Sequence, residues 1–452
     1  MIALLVMLVL LPVWIPGHSL AATRYVDGNI ASTCGTYSIA SRDCSGSDGN
    51  AYKTYQEGLA ALSTSTTCDV LLIRSGNYTK SGVYGNLAAD KYGGGCGSSW
   101  ATATIISNYP GETYTFTNDG LNMDNSVSTG GISWIIFTCD VLTRCNFRGS
   151  GGAGQSGIRL NNAAHHVRFQ RISVRNFTDQ GIQGGTGGCP AGPTSIEILD
   201  SDISLNGDDN SHFEHGIYPS CSADWIVARN FLLGNMGYGI HIYSSSTDWH
   251  LRVTVYSNYV EGRKTGATGT AYGIVIATGS GHKAYNNIVN GQGAQAVKLT
   301  GCFQFYGTQT SPLLYNNTCY DVTTGIENNS GVSGLESKNN IFASVSGVIT
   351  DAGSGTVQSN NLCPSSGTGC SVTGSPSFTN AAAGDFSIPS SSSARNAGLN
   401  LSATVATDYI GTSRCQGAAC DIGAYEFIEA PPTTRAFGFS GVVKPSGSIQ
   451  FH

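Results

Sequence analysis

Short apolar runs alternate with polar residues along most of this chain, and each run ends at a polar residue. Between positions 108 and 361 these polar residues follow one another at steps of 21 to 32 residues. The ten positions are Asn108, Asp140, Arg171, Asp202, Asn230, Asn258, Asn287, Asn317, Asn340 and Asn361. A repeat that keeps its period while the residues vary is typical of a stacked solenoid. The recurring Asn predicts a ladder of side-chain amides, each bonded to the next coil.

Each repeat contains up to three short strand signals, which we call rows 1, 2 and 3. Row 1 has the form Gly-Ile-x-apolar or a looser version of it, row 2 ends at the polar ladder, and row 3 starts at the apolar residue after it. The row 1 signals lie at 157–160, 181–183, 216–218, 239–242, 273–276, 296–299 and 325–327. Helical periodicity is absent from these repeats. The pattern therefore predicts an all-β, parallel β-helix solenoid of about nine to ten coils.

The two ends of the repeat region follow a different pattern. Residues 55–63 have helical spacing, with Tyr55, Leu59 and Leu62 near one face, and residues 69–73 have the pattern of a buried strand. We interpret 22–100 as an N-terminal cap with the first coil, because an uncovered terminal coil would expose its core and strand edges. We expect the β-helix to span 101–370, a small β module to close it at 371–427, and 428–452 to form a tail.

Composition favours an extracellular protein. Of the 452 residues only 12% are charged and 60 are Gly, and the net charge is −6. Without a basic patch, nucleic acid is not an expected partner. Residues 1–21 have the features of a secretory signal, because the apolar stretch 2–15 is short for a membrane span and small residues precede Ala22. We expect secretion and no membrane contact after signal cleavage, with cell-surface attachment or a retained anchor as alternatives.

Fourteen cysteines, an even number, also fit an oxidising compartment. Zinc sites are disfavoured because the chain has no CxxC pair. Sequence alone leaves the connectivity open. Four pairs lie close in sequence: Cys34 with Cys44, Cys139 with Cys145, Cys363 with Cys370, and Cys415 with Cys420. Cys189 with Cys221 and Cys302 with Cys319 could join loops of neighbouring coils.

The coil sequence HGIYPS…WIVARNFLLGNMGYGIHIY resembles the right-handed parallel β-helix superfamily with the pectate-lyase-like fold. The segment RYVDGN…DVLLIRSGNY is similar to the entry segment of such proteins, and SPSFTN…CDIGAYEF resembles a module that closes secreted bacterial ones. The resemblance covers residues 25–427. It implies a relationship to polysaccharide lyases, galacturonases and alginate epimerases, and it implies that row 1 forms the floor of a substrate groove.

The x positions of row 1 carry the candidate chemistry. Alternate side chains of a strand face opposite ways, so x faces solvent when its apolar neighbours fill the core. Down the stack, x is Arg159, Gln183, Tyr218, His241, Val275, Lys298 and Glu327. Tyr218 and His241 should be neighbours, because adjacent coils lie about 4.8 Å apart.

Two long loops enter this row in the same region. The loop 206–215 supplies Asp208, Asp209, Glu214 and His215, and the segment 261–272 ends at Tyr272. Tyr238 and Tyr243 flank His241 in sequence. Long loops on a rigid scaffold commonly form binding sites, and aromatic faces suit the apolar face of a sugar ring. We therefore expect Tyr238, Tyr243, Tyr272, Asp208, Asp209 and Glu214 to contact a polysaccharide.

These residues predict acid–base chemistry on an acidic, uronic-acid polysaccharide, by a lyase or a C5-epimerase. Removing the proton beside a carboxylate requires a base, an acid and a cation that holds the carboxylate. We assign His241 as the base, with His215 as a further catalytic candidate, and Tyr218 or Tyr238 as the acid. Arg159 or Lys298 would supply the cation.

Three alternatives remain at this point. Asp208 and Asp209 are similar to the acid pair of galacturonase-type hydrolases, although the other elements of that family are missing. Calcium could bind Asp200, Asp202, Asp208 and Asp209, but no recognised ligand spacing supports it, so we expect no metal and no cofactor. The chain could also be a non-catalytic adhesin, sheath or filament subunit that self-assembles. An enzyme should gather Tyr218, His241 and the loop 206–215 into one cleft, whereas a structural subunit should scatter them.

Overall fold

The computed structural model describes residues 22–62, 68–79, 85–86, 97–117, 121–124, 132–151, 154–161, 164–185, 189, 192–208, 213–244 and 251–428. The predicted signal 1–21, Asp209 and the tail beyond 428 lie outside these residues.

Row 2 forms a parallel sheet of thirteen strands, in which spatial order follows chain order after the first two. Its strands are Thr23–Val26, Asn50–Tyr52, Val70–Ile73, Thr104–Asn108, Ser133–Thr138, His165–Gln170, Thr194–Leu199, Ile226–Ala228, Thr254–Tyr256, Lys283–Tyr285, Leu313–Tyr315, Glu336–Lys338 and Val357–Ser359. The last ten belong to the predicted 101–370 region. An all-β parallel β-helix solenoid, as predicted, is confirmed.

Rows 1 and 3 join into a second all-parallel sheet. Row 1 comprises Gly85–Asn86, Leu121–Asp124, Ile158–Asn161, Ile182–Gly184, Ile217–Tyr218, Ile240–Ile242, Tyr272–Ser280 and Gly301–Thr310. Row 3 comprises Gly76–Thr79, Tyr114–Thr117, Cys145–Arg148, Ser173–Arg175, Asp202–Ser204, Phe231–Leu233, Tyr259–Glu261, Ile288–Asn290 and Leu362–Cys363. Thr318–Asn328 and Ile341–Asp351 each span both rows, and Val332–Ser333 and Val372–Thr373 extend the sheet. One apolar core runs through the coils from Val26 to Cys363.

The amide ladder forms from Asn230 to Asn361. The backbone N–H and the side-chain amide of Asn258 both donate to Oδ1 of Asn287, at 3.1 and 3.0 Å, and the pattern repeats coil after coil. Every rung is buried, so each amide both satisfies its own polar atoms and binds the next coil.

Two predicted rungs are wrong by one residue. Ile172 and Ser201, not Arg171 and Asp202, take the ladder positions, because Ile172 N–H donates to Ser201 Oγ and Ser201 N–H to Asn230 Oδ1. A residue with a left-handed backbone precedes the rung in each of these coils, and Arg171 has this conformation with φ 55°. Asp202 instead lies inside a strand, where it accepts hydrogen bonds from Arg175 and Ser173.

The residues with a left-handed backbone that precede the rungs also bind the C-terminal segment. In the last four coils these residues are Asn286, Asn316, Asn339 and Asn360, with φ from 50° to 56°. Their amides donate to backbone carbonyls of residues 407, 421, 399 and 397, respectively, at 2.7 to 3.1 Å. Asn tolerates this backbone better than most residues, so one residue type serves both the bend and the contact.

A helix, Tyr55–Ala60, packs at the opposite end, and short 3₁₀ turns occur at Trp100–Thr102 and Ala381–Ala383. Thr54 and Glu57 form a reciprocal capping box at the helix start. Tyr55, Leu59 and Leu62 are buried, and the Tyr55 ring lies 4.5 Å from that of Phe116. The helix is shorter than the predicted 55–63.

All six disulfides considered from the sequence are present; Cys189–Cys221 joins a turn to a bend, and Cys302–Cys319 joins two strands. Cys68 is also disulfide-bonded. Among the described residues, no helix has the length and apolar character that crossing a bilayer requires.

Candidate functional site

Row 1 brings the predicted x positions into register. Arg159 lies opposite Gln183, and Gln183 lies opposite Tyr218. The Tyr218 and His241 rings stack at 5.1 Å with an interplanar angle of 22°. His241 then lies opposite Val275. The predicted contact between Tyr218 and His241 is thus present.

Lys298 does not belong to this row. Gln304 lies opposite Val275, and Glu327 lies opposite Gln304. The strand of this coil begins at Gly301 rather than near 296. A Cβ at Gly301 would lie 2.3 Å from the ring of Tyr272. Lys298 is exposed and pairs with Asp321 at 2.5 Å.

Two histidines and a tyrosine form a hydrogen-bonded chain at the centre of the site. His215 Nε2 lies 2.9 Å from His241 Nδ1, and His241 Nε2 lies 2.9 Å from the hydroxyl of Tyr306. The backbone N–H of Tyr238 donates to His215 Nδ1 at 3.1 Å. His215 and His241 are 2% and 8% exposed, so the chain is largely shielded from solvent.

Four tyrosines surround this pair of histidines. Tyr238 stacks on His215 at 4.8 Å, and Tyr243 stacks on His241 at 5.6 Å. Burial raises the pKa of the Tyr218, Tyr238 and Tyr306 phenols. The phenols are therefore uncharged at neutral pH and can donate hydrogen bonds.

Small and buried residues allow Tyr306 to reach His241 from two coils away. Tyr306 lies opposite Ala277 in the sheet, and Val275 lies between His241 and Gln304. Both Ala277 and Val275 are fully buried. Because Ala277 has only a methyl group, the Tyr306 ring leans over it and stacks on Tyr243 with centroids 6.2 Å apart.

A carboxylate lies further along the same row. Glu327 accepts hydrogen bonds from the Tyr272 hydroxyl, from Gln304 Nε2 at 3.0 Å and from Asn329 Nδ2 at 3.1 Å. Burial alone would raise the pKa of Glu327, but the hydrogen bonds outweigh it, and its pKa is lowered. Glu327 is therefore ionised at neutral pH.

The loop 206–215 reaches the same part of row 1. Gln180 holds it by accepting from the His215 N–H at 2.5 Å and donating to the Phe213 carbonyl at 2.9 Å. Asp208 N–H donates to Glu214. The Phe213 side chain is 67% exposed at the rim of the site. The site thus gathers Tyr218, Tyr238, Tyr243, His241, His215 and the described part of this loop.

The cations predicted to hold a carboxylate are already paired. Arg159 lies 3.1 Å from Asp179, three coils before His241. Lys264 lies near the loop instead, where burial lowers the pKa of its amine while Asp208 and Glu214 partly offset that effect. Arg263 is 1% exposed and donates to the carbonyls of residues 236, 268 and 269.

Two of the aspartates considered for calcium, Asp200 and Asp202, instead form ion pairs. Asp200 pairs with Arg229, and Asp202 pairs with Arg175. In the portion of the chain that the structure describes, no three His, Cys, Asp or Glu side chains gather as a group that could hold a metal ion.

Sequence reasoning did not assign Tyr306, Gln304 or Phe213 to the site. The motif Gly-x-Phe-x-Phe-x at 301–306 departs from Gly-Ile-x-apolar, although its alternation places Gln304 at x and Tyr306 two residues later on the same face. That alternation could have identified both Gln304 and Tyr306. No sequence pattern marked Phe213.

No protein-family model matches the chain, and no curated protein sequence matches it either. Among solved structures, the pectate lyase Pel9A is 15% identical with a TM-score of 0.47, covering 90% of this chain and 97% of its own. A rhamnogalacturonan lyase is 12% identical with a TM-score of 0.39 and coverages of 75% and 87%. An endo-xylogalacturonan hydrolase from Aspergillus tubingensis is 11% identical with a TM-score of 0.37 and coverages of 71% and 93%. At these values the likeness carries no argument about activity.

Proposed function

We propose that this protein is a secreted enzyme that acts on an acidic polysaccharide through acid–base chemistry, as a lyase or a C5-epimerase. The observation that carries the proposal is the gathering of His215, His241 and four tyrosines on one face of row 1. Buried, mutually bonded titratable groups are typical of catalytic sites.

The chemistry of the site suits a uronic-acid residue. Proton removal beside a carboxylate needs a proton acceptor and a proton donor on one sugar ring. Glu327 is an ionised carboxylate, and the tyrosine phenols remain protonated. The exposed Phe213 ring and the half-buried Tyr243 can pack on the apolar faces of sugar rings.

Lys264 is the cation that we assign to the substrate carboxylate. It lies beside Asp208 and Glu214 at the loop end of the groove, and its side chain is half-buried. A partly desolvated ammonium attracts a carboxylate more strongly than one in bulk water. We place Arg159 outside the reacting region, since Asp179 holds it three coils from His241.

The alternative of a structural subunit is less well supported. The large exposed apolar side chains of the described residues are separate from one another in the chain: Phe213, Val357, Leu399, Ile410 and Ile428. A filament or adhesin would need a continuous apolar or flat lateral surface. The clustered His and Tyr residues also fit the pattern expected of an enzyme.

The test is to incubate the mature protein with alginate, pectate, chondroitin and hyaluronan while following ultraviolet absorbance of unsaturated uronate. Proton exchange from deuterated water into the polymer, read by NMR, detects an epimerase. We expect activity on one of them that His241→Ala abolishes and Tyr285→Phe, on the opposite sheet, retains. A folded protein that gives no signal in either assay would contradict the proposal, and reducing ends without absorbance would indicate a hydrolase.

A further inference from the structure

The hydrogen bonds of the site have a direction, and a single backbone group sets it. The Tyr238 N–H donates to His215 Nδ1. A backbone N–H can only donate, so His215 Nδ1 acts as an acceptor and carries no hydrogen. In the neutral imidazole the hydrogen therefore sits on Nε2.

The direction passes from one histidine to the next. His215 Nε2–H points at His241 Nδ1, which must accept. Neutral His241 then carries its hydrogen on Nε2 and donates to the hydroxyl oxygen of Tyr306. If these hydrogen bonds ran in the opposite direction, His215 Nδ1 would carry a hydrogen that points at the Tyr238 N–H. Neither group could then accept.

We propose that Tyr306 is the proton donor of this site, and that His215 and His241 are positioning residues that direct its hydroxyl hydrogen toward the groove. This inference rests on the proposed function. It replaces the assignment of His241 as the base, because the lone pair of neutral His241 faces His215 rather than a sugar.

The surroundings of Tyr306 favour this role. Its oxygen accepts from His241, and among the described residues no other hydrogen bond uses its hydroxyl group. Burial raises its pKa, which keeps the hydrogen on the phenol at neutral pH. When the hydrogen leaves, the His241 N–H already points at the oxygen where negative charge develops, and a preoriented donor stabilises that charge.

In an elimination, the C–H bond beside the sugar carboxylate breaks, and its proton goes to a carboxylate of the groove. Glu327, ionised on the same row, is the group that we assign. The electron pair of that C–H bond forms the new C=C bond while the C–O bond to the departing sugar breaks. The departing oxygen takes the proton of Tyr306 and becomes a hydroxyl group. The tyrosinate then regains a proton from Glu327 through solvent, which restores both groups.

Nitrogen-15 NMR of the full chain with labelled histidine tests the direction without any substrate. His241→Gln and His215→Gln assign the two signals by their disappearance. We expect both histidines to be Nε2–H tautomers near neutral pH. An Nδ1–H tautomer at His241 would overturn the inference, because its Nε2 would then accept the Tyr306 hydrogen.

Turnover tests the donor itself. On the substrate identified above, Tyr306→Phe should lower kcat by about 100-fold or more and leave KM within about threefold, as expected for a lost general acid. Tyr285→Phe is the matched control. His241→Gln, which keeps an N–H donor, should retain more kcat than His241→Ala at similar KM. Full kcat in Tyr306→Phe would overturn the donor role alone, whereas no turnover by the wild type would overturn the proposed function and the donor role with it.

Discussion

His282 should make this protein lose stability in mild acid. The side chain is fully buried, its Nδ1 accepts from the Val253 N–H at 3.3 Å, and its Nε2 lies 3.0 Å from the Thr278 carbonyl. Burial lowers its pKa from 6.5 to about 4, although the Thr278 carbonyl offsets part of the effect. The neutral ring therefore satisfies both hydrogen bonds. A second ring proton would sit on Nδ1 and point at the Val253 N–H, which cannot accept it.

The sign and the size follow from proton linkage. The unfolded chain binds a proton at His282 below about pH 6.5, whereas the folded chain binds it only below about pH 4. The free energy of unfolding is therefore unaffected above that window and falls as the pH drops through it. At about pH 5 the loss is about 2 kcal/mol, and below about pH 4 it levels off near 3 kcal/mol.

Equilibrium urea unfolding at about pH 8 and about pH 5 measures the loss. His282→Gln keeps a donor for the Thr278 carbonyl and removes the titration. It should be less stable than the wild type at the higher pH but lose about 2 kcal/mol less on acidification. Other groups titrate equally in both proteins and cancel in the difference. Equal acid losses in the two proteins would refute the reasoning.

Three further changes test the scaffold. Asn258→Ala should lower the free energy of unfolding by about 3 kcal/mol or more in urea unfolding, because it removes the donor to the Val227 carbonyl and leaves buried ladder groups unpaired. Gly301→Ala should cost about 1–3 kcal/mol in the same assay, because the added Cβ meets the Tyr272 ring. Replacing both Cys302 and Cys319 by Ala should lower the midpoint of thermal unfolding by the equivalent of about 3 kcal/mol, since the bond closes a loop of 17 residues.

The glycine and asparagine changes each have a control within the chain. Gly367→Ala adds a Cβ with nothing within 4 Å and should change stability by less than about 0.5 kcal/mol. Asn400→Ala, at an exposed turn, should behave similarly. A loss at Asn400 as large as that at Asn258 would show that the ladder does not explain the effect.

The fold was predictable because its signals are local. Each coil repeats an apolar strand and a bend within about 28 residues, and the later coils add an amide at the bend. The misplaced rungs at Arg171 and Asp202 came from coils in which Ile172 and Ser201 stand where later coils have Asn. Without the amide as a marker, a shift of one residue was invisible in the sequence.

The candidate site was predictable only in part. The stack of Tyr218 on His241 followed from strand alternation and from the Gly-Ile motif that aligns two adjacent coils. Lys298 was misplaced because the row 1 strand of its coil starts later, at Gly301. A sequence pattern shows how side chains alternate along one strand. It does not show how long the loop is before the next strand begins.

By itself the sequence determined the coil, the bends and which side chains leave the core, because these depend on neighbours two residues or one repeat away. Only the tertiary structure decided that Tyr306, 65 residues after His241, hydrogen bonds to it. That contact depends on the register of three coils and on the space above Ala277. It also depends on a backbone N–H at Tyr238 that orients both histidines. These contacts join residues that are distant in sequence, and no local sequence pattern encodes them.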